Sequence, residues 1–266
     1  MNPALVETQT TDLSRGAAMT FRRLLRAYAM EARYESLRML RTPAFAGPFL
    51  TLPVALYLLF GVVLFGEPLA KDPPAALFTF MGFAVFGVMG PGMFGFGISI
   101  AVEREQGLLK LKRALPMPQS AFLVAKMLMS MLFVAIIMVT MAAAAPLGHV
   151  RLSGMQLLTM SLVNLAGALP FCAMGFFVGS LASGKAAPAF VNLLYLPMIY
   201  LSEIMFPLPK SLSWIAALSP AHHLNELARA AMSVPNDGAP AIHALVLLGV
   251  TLGFAVVALR RLERIG

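Results

Sequence analysis

The sequence predicts an all-α, polytopic membrane protein, and two observations predict it. Hydrophobic residues make up 59% of the 266-residue chain and charged residues only 12%, about half the charged share of an ordinary soluble domain. The apolar residues also gather into long runs separated by short polar stretches, and each run is close to the roughly 20 residues that an α-helix needs to cross a bilayer. At that length the chain has room for six spans, short loops and one cytosolic tail, with no separate soluble domain. The single cysteine, Cys172, lies inside an apolar run. It has no second cysteine to pair with and no Cys/His cluster around it, so packing is its expected role.

The elements follow in order. Residues 1–19 are mostly polar and the first apolar span begins only near Ala44, so no secretory signal is read and the N-terminal tail is expected to stay in the cytosol. Over 20–42, Phe21, Leu24, Leu25, Tyr28 and Ala32 follow helical spacing while Arg22, Arg26 and Arg33 share another face. That pattern suits an amphipathic helix lying on anionic headgroups, with an ordinary solvated helix as its rival. Pro43 ends it and turns the chain into the bilayer.

Residues 43–266 form the transmembrane domain, with spans expected at about 44–66, 75–102, 121–147, 155–182, 186–207 and 239–259. A polar turn is expected from Glu67 to Pro74. The second span carries Gly82, Gly87, Gly90, Gly92, Gly95 and Gly97. Small residues let helices approach closely in lipid, so these predict a packing face, kinked at Pro91. A charged island follows at 103–115, closed by Pro116 and Pro118, and Lys126 at the start of the third span is expected to snorkel to the surface.

Orientation follows from counting, because loops on the cytoplasmic side carry excess Lys and Arg. With the N-terminus inside, 16 of the 20 basic residues fall on the inner side, and only Lys71, Arg151, Lys210 and Arg229 fall outside. The split supports six spans with both termini cytosolic. It also accounts for a net charge of +8 without nucleic acid, since the basic residues are spread by topology and not gathered in a groove with interleaved aromatics.

Several polar groups are candidates for chemistry. Gly179 to Ala186 approaches a phosphate-binding loop, but Ala186 replaces the hydroxyl that binds magnesium, Pro188 follows, and the flanks are membrane helices, so it is read as a tight inner turn. Glu203 lies just inside the outer end of the fifth span. It either pairs, lines water or meets cargo inside the membrane, or else reaches interfacial water. Asn164 and Asn192 are read first as interhelical hydrogen-bonding groups and second as cargo contacts. His222, His223 and Glu226 share one helical turn, which suggests a metal, yet they lack the His-Glu-x-x-His order and are read as polar residues of a surface helix. The 19 methionines are scattered through the spans as flexible packing. Two rival functions stay open on these groups: a proton-coupled secondary transporter using Glu203, and a membrane-embedded metal hydrolase using His222, His223 and Glu226.

Two stretches together resemble a known family. The island Glu103-Arg104-Glu105-Gln106-Gly107, followed by Leu111, Pro116-Met117-Pro118 and Ala125-Lys126, is similar to the type 2 ATP-binding-cassette (ABC) exporter permeases. So is the stretch Leu196-Pro197-Met198, Leu201-Ser202, Phe206-Pro207-Leu208-Pro209, Leu212, Trp214-Ile215, Leu218, Pro220 and His223-Leu224. The resemblance covers nearly the whole chain, and it departs at Glu203, where the family pattern commonly has glycine, and at Leu108, where a Thr often follows the island glycine. It implies a six-helix permease subunit whose island is a coupling helix docking on a separate ATPase chain through Glu103, Arg104, Glu105, Gly107, Leu108, Leu109 and Leu111. ATP and magnesium would then sit on that partner, with no cofactor, metal or catalytic residue on this chain. It further implies a second six-helix unit in the bacterial inner membrane, either a second permease copy in a homodimer or a sister permease. External helices at about 210–232 would form a partly re-entrant lid with Trp214 at the interface. Asn164, Asn192, Glu203 and Phe206 are the residues expected along a cargo path or outer gate. The expected activity is export of a hydrophobic or amphipathic compound, of the drug or antibiotic class, by alternating access.

Overall fold

The computed structural model describes residues 21–114, 118, 120–202, 213–234 and 238–265. All of its regular structure is helical. Helix α1, Phe21–Leu40, is the amphipathic helix expected at 20–42, and α2 begins at Pro43 in its first turn, where a proline lacks no needed N–H donor. The first span runs from Pro43 to Leu64, α2 (Pro43–Leu58) passing into a π-helical turn, Leu59–Leu64. The expected polar turn is instead a short helix, α3 (Gly66–Lys71), after which the Asp72 carboxylate accepts the N–H of Ala75 at 3.1 Å and starts the next helix.

The second span is one continuous rod, Pro73–Glu105. It comprises α4 (Pro73–Gly90), a π-helical stretch at Pro91–Phe96 and α5 (Gly97–Glu105). Pro91 thus marks a π-helical irregularity, one of the usual ways a long helix bends. The island is divided: Glu103 to Glu105 close α5, the chain turns at Gly107 with φ of +72°, and a separate helix, α6, covers Leu108–Ala114. Glycine is suited to that turn because it carries no Cβ to clash at positive φ.

Helix α7, Ser120–Ala144, forms the third span with a 3-10 turn to Gly148. The fourth, α8 (Gly154–Leu181), opens with a capping box in which Ser153 Oγ accepts the Gln156 N–H and Gln156 Oε1 accepts the Ser153 N–H. Helix α9, Ala187–Leu201, is 15 residues long, about 22 Å, so its described part is shorter than the 186–207 span expected. Two short helices follow, α10 (Ser213–Ala216) and α11 (Pro220–Ala231). The last, α12 (Pro240–Ile265), runs past the expected end at 259 and carries Arg260, Arg261 and Arg264 on its final turns.

The second and fourth spans form the centre. Gly97 and Gly175 abut so closely that a Cβ on Gly175 would lie 2.7 Å from the Gly92 carbonyl oxygen and 2.8 Å from that of Met93. Backbone cannot move aside as a side chain can, so the glycines of the second span do serve as a packing face, with Gly175 and Gly179 of α8 as the matching surface. Around this pair, α7, α11 and α12 pack on α8, and α1 lies along α7. The most apolar window of the second span is 78% buried, against 17% for the first and sixth, which therefore turn their faces to lipid or to another chain.

Candidate functional site

The island occupies the end of the molecule where α1, α5, α6 and α7 meet, and its acidic residues point in different directions. Glu103 is 2% exposed, and Lys126 is fully enclosed. Lys126 Nζ donates to Glu103 Oε1 at 2.9 Å and to Glu35 Oε1 at 2.6 Å. Arg38 donates to Glu103 Oε1 at 2.9 Å and to Glu35 Oε1 at 3.3 Å. Lys112 of α6 donates to Glu31 Oε1 at 2.8 Å and stands 3.7 Å from Glu103 Oε2. Three carboxylates and three cations thus balance, which is the condition under which charge survives burial.

The helical spacing of α1 explains the arrangement. Glu31, Glu35 and Arg38 lie three and four residues apart, on one face, and that face is turned onto α7. The expectation that Lys126 snorkels to the surface is corrected: two carboxylates within reach make the interior the better place for it. Outside the spans, partial burial by itself would lower the Lys112 pKa. The bond to Glu31 and the charges of Glu103, Glu31 and Glu35 outweigh it and hold the ammonium above its ordinary value.

Arg104 and Glu105 fasten the other side. The Arg104 guanidinium donates to the carbonyls of Ser180 and Ala182, the latter at 2.6 Å, so a cation sits where the C-terminal carbonyls of α8 lack partners. Glu105 Oε2 accepts the Gly184 N–H at 2.6 Å, within the inner turn between α8 and α9. Leu109 is buried in a cluster with Phe96, Ile100, Phe122 and Leu262. Of the residues expected to contact a partner, then, Glu103 and Leu109 face this chain's own interior. Gly107 and Leu108 are half-buried, and Leu111 is 63% exposed, beside the exposed Gln106 and Lys110. Sequence reading missed Glu31, Glu35 and Arg38, because nothing in a lone surface helix says what its polar face will meet.

The expected cargo-path residues are not brought together. Asn164 is buried on α8, donating to the Met160 carbonyl at 3.0 Å, whereas Asn192 is exposed on α9. Glu203 and Phe206 lie outside the described residues. An unforeseen feature lies between the first, second and fifth spans. There Phe49, Phe86, Phe94 and Tyr195, with Pro48 and Leu52, line a partly open apolar cavity of about 190 Å³. The Phe94 and Tyr195 rings meet edge to face at 5.1 Å, a favourable aromatic geometry.

His222, His223 and Glu226, read from sequence as polar residues of a surface helix, are buried on α11. His223 faces another imidazole, with its Nδ1 2.8 Å from Nδ1 of His243 and its Nε2 2.9 Å from the Ala217 carbonyl oxygen. Glu226 accepts from Arg229 at 3.0 Å. Burial lowers the His223 pKa, and His243 and His222 lower it further against the Ala217 carbonyl and Glu226, which raise it. Among the described residues no group of three or more His, Cys, Asp or Glu is arranged to hold a metal ion.

Among the described residues, five helices long and apolar enough to span a membrane, a shorter apolar sixth and an amphipathic helix clamped by charge to one end define a multi-pass α-helical membrane protein. The sequence model of the ABC-2 type transporter family matches residues 28–233. The chain is also 30% identical over 194 residues to the Bacillus subtilis (strain 168) protein named "Putative transport permease YvfS", a match covering 71% of this chain and 78% of that protein. The chain therefore belongs to the ABC-2 type transporter family and is a transport permease. The matched region begins within α1 and takes in all six residues of the buried charge cluster.

Proposed function

We propose that this chain is the membrane subunit of an ATP-driven exporter that moves a hydrophobic or amphipathic compound, of the drug or antibiotic class, out of the cytoplasm. The observation that carries the proposal is the construction of the island. Glu103, Arg104 and Glu105 tie α5 to α1, α7 and the α8–α9 turn. They leave Gln106, Lys110 and Leu111 as an exposed strip on a braced mount. A strip held by four elements can pass a push from outside into the spans, whereas a free loop would yield to it. The strip is the docking surface for a separate ATPase chain, which supplies the ATP and magnesium site.

The apolar, aromatic lining around Tyr195 supports a hydrophobic or amphipathic cargo, because it offers contact area and almost no hydrogen-bonding groups. A second permease copy is supported by Asn192, an exposed amide on an otherwise apolar helix. Polar groups facing hydrocarbon are costly, and a neighbouring helix relieves the cost. The distribution of basic residues supports both termini in the cytosol, and the Bacillus subtilis relative supports a bacterial inner (cytoplasmic) membrane.

The test is copurification of the tagged chain in mild detergent with its ATPase. Wild type is expected to retain the ATPase, Lys110→Glu/Leu111→Glu to lose it while staying folded, and wild-type vesicles to export a hydrophobic dye only with ATP. Retention of the ATPase by the double variant would remove the strip from its role, and transport that follows the proton gradient without ATP would overturn the reading.

A further inference from the structure

The last turns of α12 extend beyond its apolar stretch and carry three arginines whose spacing, i, i+1 and i+4, places them on one side of the helix. Arg260, Arg261 and Arg264 are all exposed, and with Phe177, Leu181 and Val257 they surround a cavity of about 580 Å³. Arg261 Nε also reaches the Ser180 carbonyl at 3.4 Å, which sets the basic mouth level with the end of α8, on the face that carries the island. Further cavities adjoin it beyond the arginines. Phe177 and Leu181 also line a second cavity, about 240 Å³ and almost wholly apolar, together with Phe190, Leu193 and Leu194. Leu193 and Leu194 line a third, about 380 Å³, that extends between α9 and α12 to Val250 and Phe254. A cationic mouth at the membrane boundary thus opens into an apolar trench running into the bilayer.

We propose that this groove between α8, α9 and α12 is a binding site for an anionic phospholipid of the leaflet on the island side. Topology alone accounts for basic residues near the end of a span, but it does not gather three of them around a cavity that adjoins a row of apolar ones. An apolar trench alone would take any acyl chain. The two together fit an amphiphile with a negative head, and guanidinium forks suit a phosphate in particular. Free phosphate would leave the trench unused. A second copy of the chain is better placed on the other flank of α9, where helical spacing sets Asn192 opposite Phe190 and Leu194. The site does not rest on the transport reading, since a lipid is held there whether or not the chain couples to an ATPase. Arg260, Arg261 and Arg264 also lie beyond residues 28–233, the stretch that matches the family.

The full-length chain, purified in mild detergent with any subunit that accompanies it, is titrated with phosphatidylglycerol or phosphatidylcholine of identical acyl chains, and bound lipid is counted by native mass spectrometry. Wild type is expected to prefer phosphatidylglycerol by about tenfold or more, and Arg260→Gln/Arg264→Gln to lose about 30-fold in affinity for it. Arg260→Lys/Arg264→Lys is expected to keep most of that affinity. Leu194→Trp, which narrows the trench with every arginine in place, is expected to weaken binding several-fold. Arg261 is left untouched because it also bonds the end of α8. Inorganic phosphate in large excess is expected to leave the lipid bound, and displacement by it would reduce the site to an anion site and overturn the lipid assignment. Equal binding of the two lipids by wild type would overturn it without any variant. So would a disulfide between copies of Leu193→Cys/Cys172→Ser in membranes, which would show the groove to be covered by protein.

Discussion

Lys126 is wholly enclosed, with Glu35 and Glu103 at 2.6 and 2.9 Å from its ammonium, and Arg38 beside the same two carboxylates. Such a set is held by mutual neutralisation, and breaking one member strands the others, at a cost of about 3–5 kcal/mol. Lys126→Met is expected to lower stability by that order in a thermal-unfolding scan in detergent, and adding Glu35→Gln and Glu103→Gln to the same chain is expected to recover part of the loss. An unchanged midpoint for the single variant would mean that the cluster does not hold the fold. Lys112 supplies a pH signature. Its pKa is raised in the folded chain from the ordinary 10.5, so the stability it lends is complete below that ordinary value and disappears as pH climbs through the raised one. The attachment of α6 to α1 is therefore expected to loosen only in strongly alkaline solution, read as faster proteolysis between Gly107 and Ala114, and Lys112→Met is expected to show that cleavage already at neutral pH.

Between elements, the deciding contact is backbone against backbone where the second span crosses α8. A methyl group on Gly175 meets two carbonyl oxygens inside van der Waals distance, and overpacking of this kind costs about 1–3 kcal/mol. Gly175→Ala is expected to lose stability of that size. Gly249→Ala on α12, where the added Cβ has nothing within 4 Å, serves as the matched control and is expected to be neutral. Equal midpoints for the two would refute the close approach. The same crossing shows which part of the pattern was legible. The run from Gly82 to Gly97 announced a small-residue face, whereas Gly175 and Gly179, two of the four glycines in that 28-residue helix, carried a quieter signal in their Gly-x-x-x-Gly spacing, which sequence reading passed over.

For the whole molecule, the charge split predicts that the island and the α10–α11 region lie on opposite sides of the membrane. In a chain with Cys172→Ser, a cysteine at Leu111 is expected to react with a membrane-impermeant maleimide only in inside-out vesicles, and one at Trp214, itself 64% exposed, only in right-side-out cells. Labelling of both from one side would break the proposed topology. Pairing through Asn192 is expected to show as weaker recovery of a second, differently tagged copy when Asn192→Leu is introduced, since an interhelical amide contact is worth about 0.6–2 kcal/mol.

The sequence by itself determined the class, an all-α polytopic membrane protein, because hydrophobic length acts locally and can be counted along the chain, and the placement of Lys and Arg gave it an expected sidedness. It also marked the island as special, but it could not say which way each charge points. Glu103 and Glu105 are two residues apart and on different sides of α5, one sealed against Lys126 and the other holding the Gly184 N–H. Only the tertiary structure decided that, since a buried charge is assigned by the partner that neutralises it, and those partners lie 23 and 79 residues away. The same holds for the arginine-mouthed groove, where residues of α8, α9 and α12 meet only once the helices are packed.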